Sequence, residues 1–135
     1  MKIINPDSLA AMTIWTEAQG EPYEGKLGVG EVIRNRMIRN YSSDGTVAGT
    51  VARRFQFSVW NDDAADNALL IRALKIDDLD PTVIECIRAW HESARTNLVK
   101  KAVLYCNLQT VSARPAWASD DKLVRTIGNH SFFVD

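Results

Sequence analysis

Three carboxylates crowd one short run of the 135-residue sequence, Thr16-Glu17-Ala18-Gln19-Gly20-Glu21-Pro22-Tyr23-Glu24-Gly25. A glycosidic bond breaks readily only when the departing sugar oxygen is protonated, and a carboxylic acid held partly out of water can supply that proton. Glu17 follows an apolar helix face. Shielding there would disfavour its charged form and raise its pKa toward a working pH. Glu21 is a candidate second carboxylate. On residue types alone a plainer reading weighs more, in which Glu17, Glu21 and Glu24 are a solvated, charged boundary between two helices.

Other side chains could serve such chemistry, each against a structural alternative. His130, in Gly128-Asn129-His130, could be an acid, a base or a sugar contact, or an ordinary structural histidine. His91 reads as surface or core. Tyr105 and Asn107 flank Cys106 at a strand end, where alternation would send both to one face. Trp60 and Trp117 lie in loop-like sequence; an exposed ring could stack on a sugar, although core packing is the default. Arg53 and Arg54 are either carboxylate partners or solvated charges. With two histidines, no HExxH and no paired cysteines, no metal site and no cofactor are expected. Neither a GxSxG elbow nor a phosphate-cradling glycine loop is present, and no basic, aromatic-interleaved patch suggests nucleic acid.

The elements that must position these residues are mostly helical. Asp7 or Ser8 can cap a first helix with Leu9, Met12 and Trp15 at helical spacing. Gly20 suits its end and Pro22 the first turn of a second helix reaching about Arg39, with Leu27, Val29, Val32, Ile33 and Met37 inward. Gly28 and Gly30 weaken that helix and imply a close neighbour, most simply the first helix. Residues 40–45 are turn-like, a short helical turn follows over 47–53, and FQFSVW is expected to be extended. Asp62 or Asp63 could cap a helix to about Lys75. Asp80-Pro81 starts another, with Val83, Ile84, Ile87, Trp90 and Ala94 on one face. Ala102–Cys106 reads as a buried strand, and Leu123–Val134 supplies one or two more around Gly128-Asn129.

The expected fold is therefore a mainly helical α+β single domain over residues 1–135, with a small C-terminal β portion. An apolar share of 46%, with 24% charged residues, is that of a globular chain. The net charge of −1 offers no bulk field toward nucleic acid, membrane or wall polyanions. Cys86 and Cys106 are too few for a disulfide scaffold and read as buried, unbridged residues. Asn5, Pro6 and Asp7 interrupt any apolar run of a signal peptide, and no stretch is long enough for a membrane span.

The run from Trp15 to Gly25 resembles the E-A-x-G-E-x-x-x-G signature of the SleB-type cell-wall hydrolases, the spore-cortex-lytic family. Gly30-Glu31-Val32-Ile33-Arg34-Asn35-Arg36 resembles its V-x-x-V-x-x-N-R continuation, and Gln56-Phe57-Ser58-Val59-Trp60 its Q-F-S-x-W segment. Ala102–Asn107 is similar to its A-x-x-Y/F-x-N strand. Pro115-Ala116-Trp117 and Ile127–Phe133 resemble its P-x-W and I-G-N-H-x-F/Y endings. The matches fall in order and span about Leu9 to Phe133. Gln19 stands where arginine is common, and Cys106-Asn107-Leu108 where histidine-asparagine-proline is frequent.

This resemblance implies a lysozyme-like, lytic-transglycosylase-like catalytic domain with Glu17 as general acid. It implies that Gln56, Ser58, Tyr105, Asn107 and His130 line the cleft; Glu21 either orients the site or holds the helix junction. The expected reaction is cleavage of peptidoglycan strands between N-acetylmuramic acid and N-acetylglucosamine by a monomer. A lytic transglycosylase outcome is favoured over lysozyme-type muramidase hydrolysis, or over a non-catalytic wall-binding or virion module. The missing export signal suggests a phage endolysin-like protein made in the host cytoplasm. It would reach the wall after a membrane breach, or act as a virion component.

Overall fold

The computed structural model describes residues 5–53, 57, 60 and 80–135. Among the described residues, four helices come first: α1 (Pro6–Ala18), α2 (Tyr23–Arg39), α3 (Val47–Val51) and α4 (Pro81–Glu92). Strand β1 (Leu104–Cys106), a 3₁₀ turn (Asp120–Lys122), β2 (Leu123–Ile127) and β3 (His130–Phe133) follow. The strands form one antiparallel sheet in the order β1-β3-β2. The mainly helical α+β expectation therefore holds. The helix expected over residues 62–75 lies outside the described residues.

Local chemistry sets the helix ends. The cap of α1 is Asn5, not Asp7 or Ser8: its side chain accepts the Asp7 N–H at 2.8 Å, and Pro6 presets the first turn. Asp7 is turned elsewhere, accepting the Trp90 indole N–H at 2.8 Å. Pro22 immediately precedes α2, and Asn40 ends it in the left-handed conformation at φ 52°. Asp80 caps α4 by accepting the Thr82 N–H.

Two clusters of buried side chains hold these pieces together. Ile14 and Trp15 of α1, Val29 and Ile33 of α2, Val51 of α3 and Trp90 of α4 form the helical core. Val32 of α2 meets Val99, Ala102, Ile127 and Phe132, which mounts the sheet on that helix. The apolar face of α4 is rotated from the expected one. Cys86, Ala89 and Trp90 are buried, whereas Ile84 and Ile87 are exposed. Ala94 lies beyond the helix end.

Gly28 and Gly30 do mark close approaches, but not chiefly to α1. A Cβ on Gly28 would lie 2.6 Å from Cζ of Phe132, and one on Gly30 would lie 2.8 Å from the Ser93 hydroxyl. The bare helix surface at Gly28 lets the sheet seat on α2. The short helix α3 stops at Val51, and the Trp60 N–H donates to the Phe57 carbonyl; the rest of the FQFSVW segment expected to be extended lies outside the described residues.

Candidate active site

Glu17 sits in the last turn of α1, half-buried. The Tyr105 hydroxyl, from the middle of β1, donates to its Oε1 at 2.6 Å. Burial, and next the Glu17 carboxylate itself, push the Tyr105 phenol well above its ordinary pKa. Tyr105 therefore remains a donor. The bond ties the Glu17 carboxyl group at the end of α1 to the middle of β1.

From Tyr105 the site continues along one face of the sheet. Tyr105 pairs with Phe132 in the strand register, and the His130 and Phe132 rings lie 4.9 and 5.6 Å from the Tyr105 ring. His130 is mostly buried. Its Nδ1 has no hydrogen-bond partner among the described residues and lies 3.8 Å from Oε1 of Glu21, beyond hydrogen-bond range. Burial lowers its pKa and Glu21 only partly offsets that, so the imidazole is neutral at pH 7.

Glu21 has a clear structural task. Its Oε1 accepts the Asn129 backbone N–H at 3.0 Å, and its Oε2 accepts the Asn129 amide at 3.2 Å. These bonds tie the β2–β3 turn to the α1–α2 junction. Gly128, at φ +57°, presses so closely there that a Cβ would sit 2.9 Å from Pro22 Cδ. Buried Lys26 reinforces the junction by donating to the Glu21 carbonyl at 2.5 Å.

The other sequence candidates divide. The Trp60 indole N–H donates to Thr13, one helical turn before Glu17, at 3.0 Å; its ring packs against the helical core. Asn107 does not share the Tyr105 face by strand alternation, because β1 ends at Cys106 and the Asn107 side chain accepts the Gln109 N–H in a local turn. Trp117 is not brought to Glu17. It packs edge-on against Phe133, whose side chain leaves the sheet opposite Phe132. Gln56, Ser58, Arg54, Asp62 and Asp63 lie outside the described residues. Arg53 and His91 are exposed. Cys86 is buried and Cys106 half-buried, both as free thiols. Among the described residues, no group of three or more histidine, cysteine or acidic side chains could hold a metal, and no helix is long and apolar enough to cross a membrane.

Sequence reasoning gave no role to Arg36, although it falls on the N-R motif. It is buried at 4% exposure and donates from Nε to the Val103 carbonyl at 2.7 Å. A buried, permanently charged residue near an acid has no helical-period signature. Only its place in a recurrent motif could have marked it.

This architecture has known counterparts. The catalytic domain of the germination-specific lytic transglycosylase SleB from Bacillus anthracis superposes with a TM-score of 0.72 at 22% identity, covering 98% of this chain and 96% of that one. The catalytic domain of the Bacillus cereus SleB protein gives 0.66 at 23% identity, covering 95% and 88%. The fold is thus that of the SleB catalytic domain. In sequence, residues 20–133 match the Cell Wall Hydrolase family, and the chain belongs to that family. The spore cortex-lytic enzymes of Oceanobacillus iheyensis and Bacillus subtilis are 29% and 27% identical to it over 128 residues, 95% of this chain. It spans 41% and 37% of their respective lengths.

Proposed function

We propose that this domain cleaves peptidoglycan glycan strands between N-acetylmuramic acid and N-acetylglucosamine as a lytic transglycosylase, with Glu17 as acid and then base. The observation that carries this reading is the Tyr105–Glu17 hydrogen bond, which fixes a single half-buried carboxyl group at the junction of helix and sheet. Glu17 protonates the bridging oxygen while the C–O bond breaks and its electron pair leaves with the departing sugar. The resulting carboxylate accepts the proton of the muramoyl C6 hydroxyl as that oxygen closes a 1,6-anhydro ring. No water enters the balance.

Hydrolysis would require a second group to activate water or bond to the sugar. Glu21 is poorly suited, with both oxygens committed to Asn129. The Bacillus anthracis neighbour is a lytic transglycosylase, which supports the same choice. Substrate contacts through Trp60, Tyr105 and His130, with Gln56, Ser58 and Asn107 from the family motifs, belong to the proposal. The test is Glu17→Gln on purified sacculi. Wild-type protein clears the suspension, whereas the folded variant leaves it turbid; clearing by folded Glu17→Gln contradicts the reading.

The biological setting is a separable part of the proposal: an endolysin-like or virion-borne bacteriophage enzyme that meets the wall after a membrane breach. Finding the protein in the walls of uninfected cells would overturn it.

A further inference from the structure

Arg36 places a full positive charge inside the domain. Its side chain emerges in the last turn of α2 and runs inward. There its guanidinium carbon lies 5.0 Å from the Phe57 ring centroid and 5.8 Å from that of Tyr41. Burial works against this charge, while the Glu17 carboxylate favours it. A guanidinium stays protonated under such conditions. A mere packing element would not need it, since apolar side chains of similar volume commonly replace buried ions without loss of stability.

The hydrogen bonds of Arg36 point to the acid. Its Nε–H donates to the Val103 carbonyl, and the Val103 N–H donates to the Phe133 carbonyl. The backbone two residues before Tyr105 is therefore held on one side by α2 and on the other by β3. Tyr105 then reaches from this segment to Glu17. Arg36 thus fixes the strand that carries the donor and adds charge beside the same hydrogen bond.

We propose that Arg36 is a positioning residue for proton transfer at Glu17, holding the β1 backbone beneath Tyr105 and stabilising the carboxylate that remains when Glu17 gives up its proton. This rests on the reading of Glu17 as the acid. The charged and titratable groups around the pair, among the described residues, are Tyr105 from β1, Arg36 from α2, Tyr41 from the loop after α2, and His130 from β3 against the Tyr105 ring. Arg36 is the cation of this set at neutral pH, because burial keeps His130 neutral. As the proton passes to the bridging oxygen, negative charge gathers on Glu17. A fixed cation in a dry site favours that change. Without it, Glu17 holds its proton more tightly and gives it up more slowly.

The experiment compares Arg36→Gln with Arg36→Lys on soluble glycan fragments, with folding checked by circular dichroism. Both replacements retain an N–H donor for the Val103 carbonyl, but only lysine retains the charge. Arg36→Gln is expected to lower kcat about 100-fold at unchanged KM. The high-pH limb of its rate profile should move upward, because the uncharged neighbour leaves Glu17 protonated to higher pH. Arg36→Lys is expected to stay within about tenfold of wild type with its limb in place. Wild-type kcat and limb in Arg36→Gln would overturn the inference, as would a loss in folded Arg36→Lys as deep as about 100-fold. If Arg36→Gln does not fold, the lysine variant alone decides by that criterion. Glu17→Gln in the same assay separates the two levels: an active Glu17→Gln removes the reading of the acid itself. An inactive one beside a wild-type-like Arg36→Gln removes only the role of Arg36.

Discussion

The Tyr105 hydroxyl donates to Oε1 of Glu17 at 2.6 Å, joining a strand to the end of the first helix across 88 positions of sequence. The bond fixes the carboxyl group that the proposed reaction uses as its acid. Tyr105→Phe removes only the donor. A hydrogen bond to a charged acceptor is worth about 1.5–3 kcal/mol, so kcat should fall about 10- to 100-fold with little change in KM. Steady-state kinetics on soluble glycan fragments check this, and an unchanged kcat would remove Tyr105 from the proton-transfer step.

Glu21 is a test of how many carboxylates the reaction needs. Glu21→Gln keeps an oxygen that can accept the Asn129 N–H but presents an NH₂ where the second acceptor stood. Stability should drop by about 1 kcal/mol, read from denaturant unfolding. Turnover should stay within about tenfold of wild type, because loss of a group active in proton transfer costs about 100-fold or more. A stable Glu21→Gln protein with turnover that low would identify a second catalytic carboxylate and favour hydrolysis.

The seat of the sheet on α2 can be tested through Gly28. Alanine gains about 1 kcal/mol of helix propensity there, yet its Cβ would stand 2.6 Å from Cζ of the fully buried Phe132. The ring cannot retreat into open space, and overpacking of this kind costs about 1–3 kcal/mol. Gly28→Ala should therefore melt at a lower temperature than wild type. A higher melting temperature would mean that the sheet moves freely on the helix.

His130 gives the fold a dependence on acidity. Burial depresses its pKa below the ordinary value of 6.5, with Glu21 opposing in part. The unfolded chain consequently binds more protons than the folded one between the depressed value and about 6.5. Its stabilising contribution is fully present above that window and is lost as pH falls through the folded pKa. Thermal unfolding across pH 4–8 should show a decline below about pH 6.5 that is shallower in His130→Asn. Parallel curves for the two proteins would mean that His130 titrates alike in both states.

Legibility of the sequence followed the range of the interaction. Asp80-Pro81 and Gly128-Asn129 declare a helix start and a hairpin turn through short-range backbone chemistry, and the structure has both. Periodicity places Val29, Val32 and Ile33 inward on α2, where they are. It could not choose between the overlapping apolar faces of α4, because Ile84 and Ile87 have the same helical spacing as the residues that are buried. Glu17 stood out through its motif, but its partner Tyr105 is fixed only when the sheet docks. Gly28 announced a close neighbour, expected most simply to be the first helix, and the neighbour is Phe132 of the last strand. The edge-on contact of Trp117 with Phe133 joins segments far apart in sequence, which the loop-like run around Pro115 did not announce.

The most direct measurement of the central claim is mass spectrometry of the soluble fragments released from purified peptidoglycan by wild-type protein and by folded Glu17→Gln. The account predicts muramoyl ends lighter by one water from the wild type, and no fragments from the variant. Ordinary reducing muramoyl ends, or release by Glu17→Gln, would contradict a lytic transglycosylase working through this one acid.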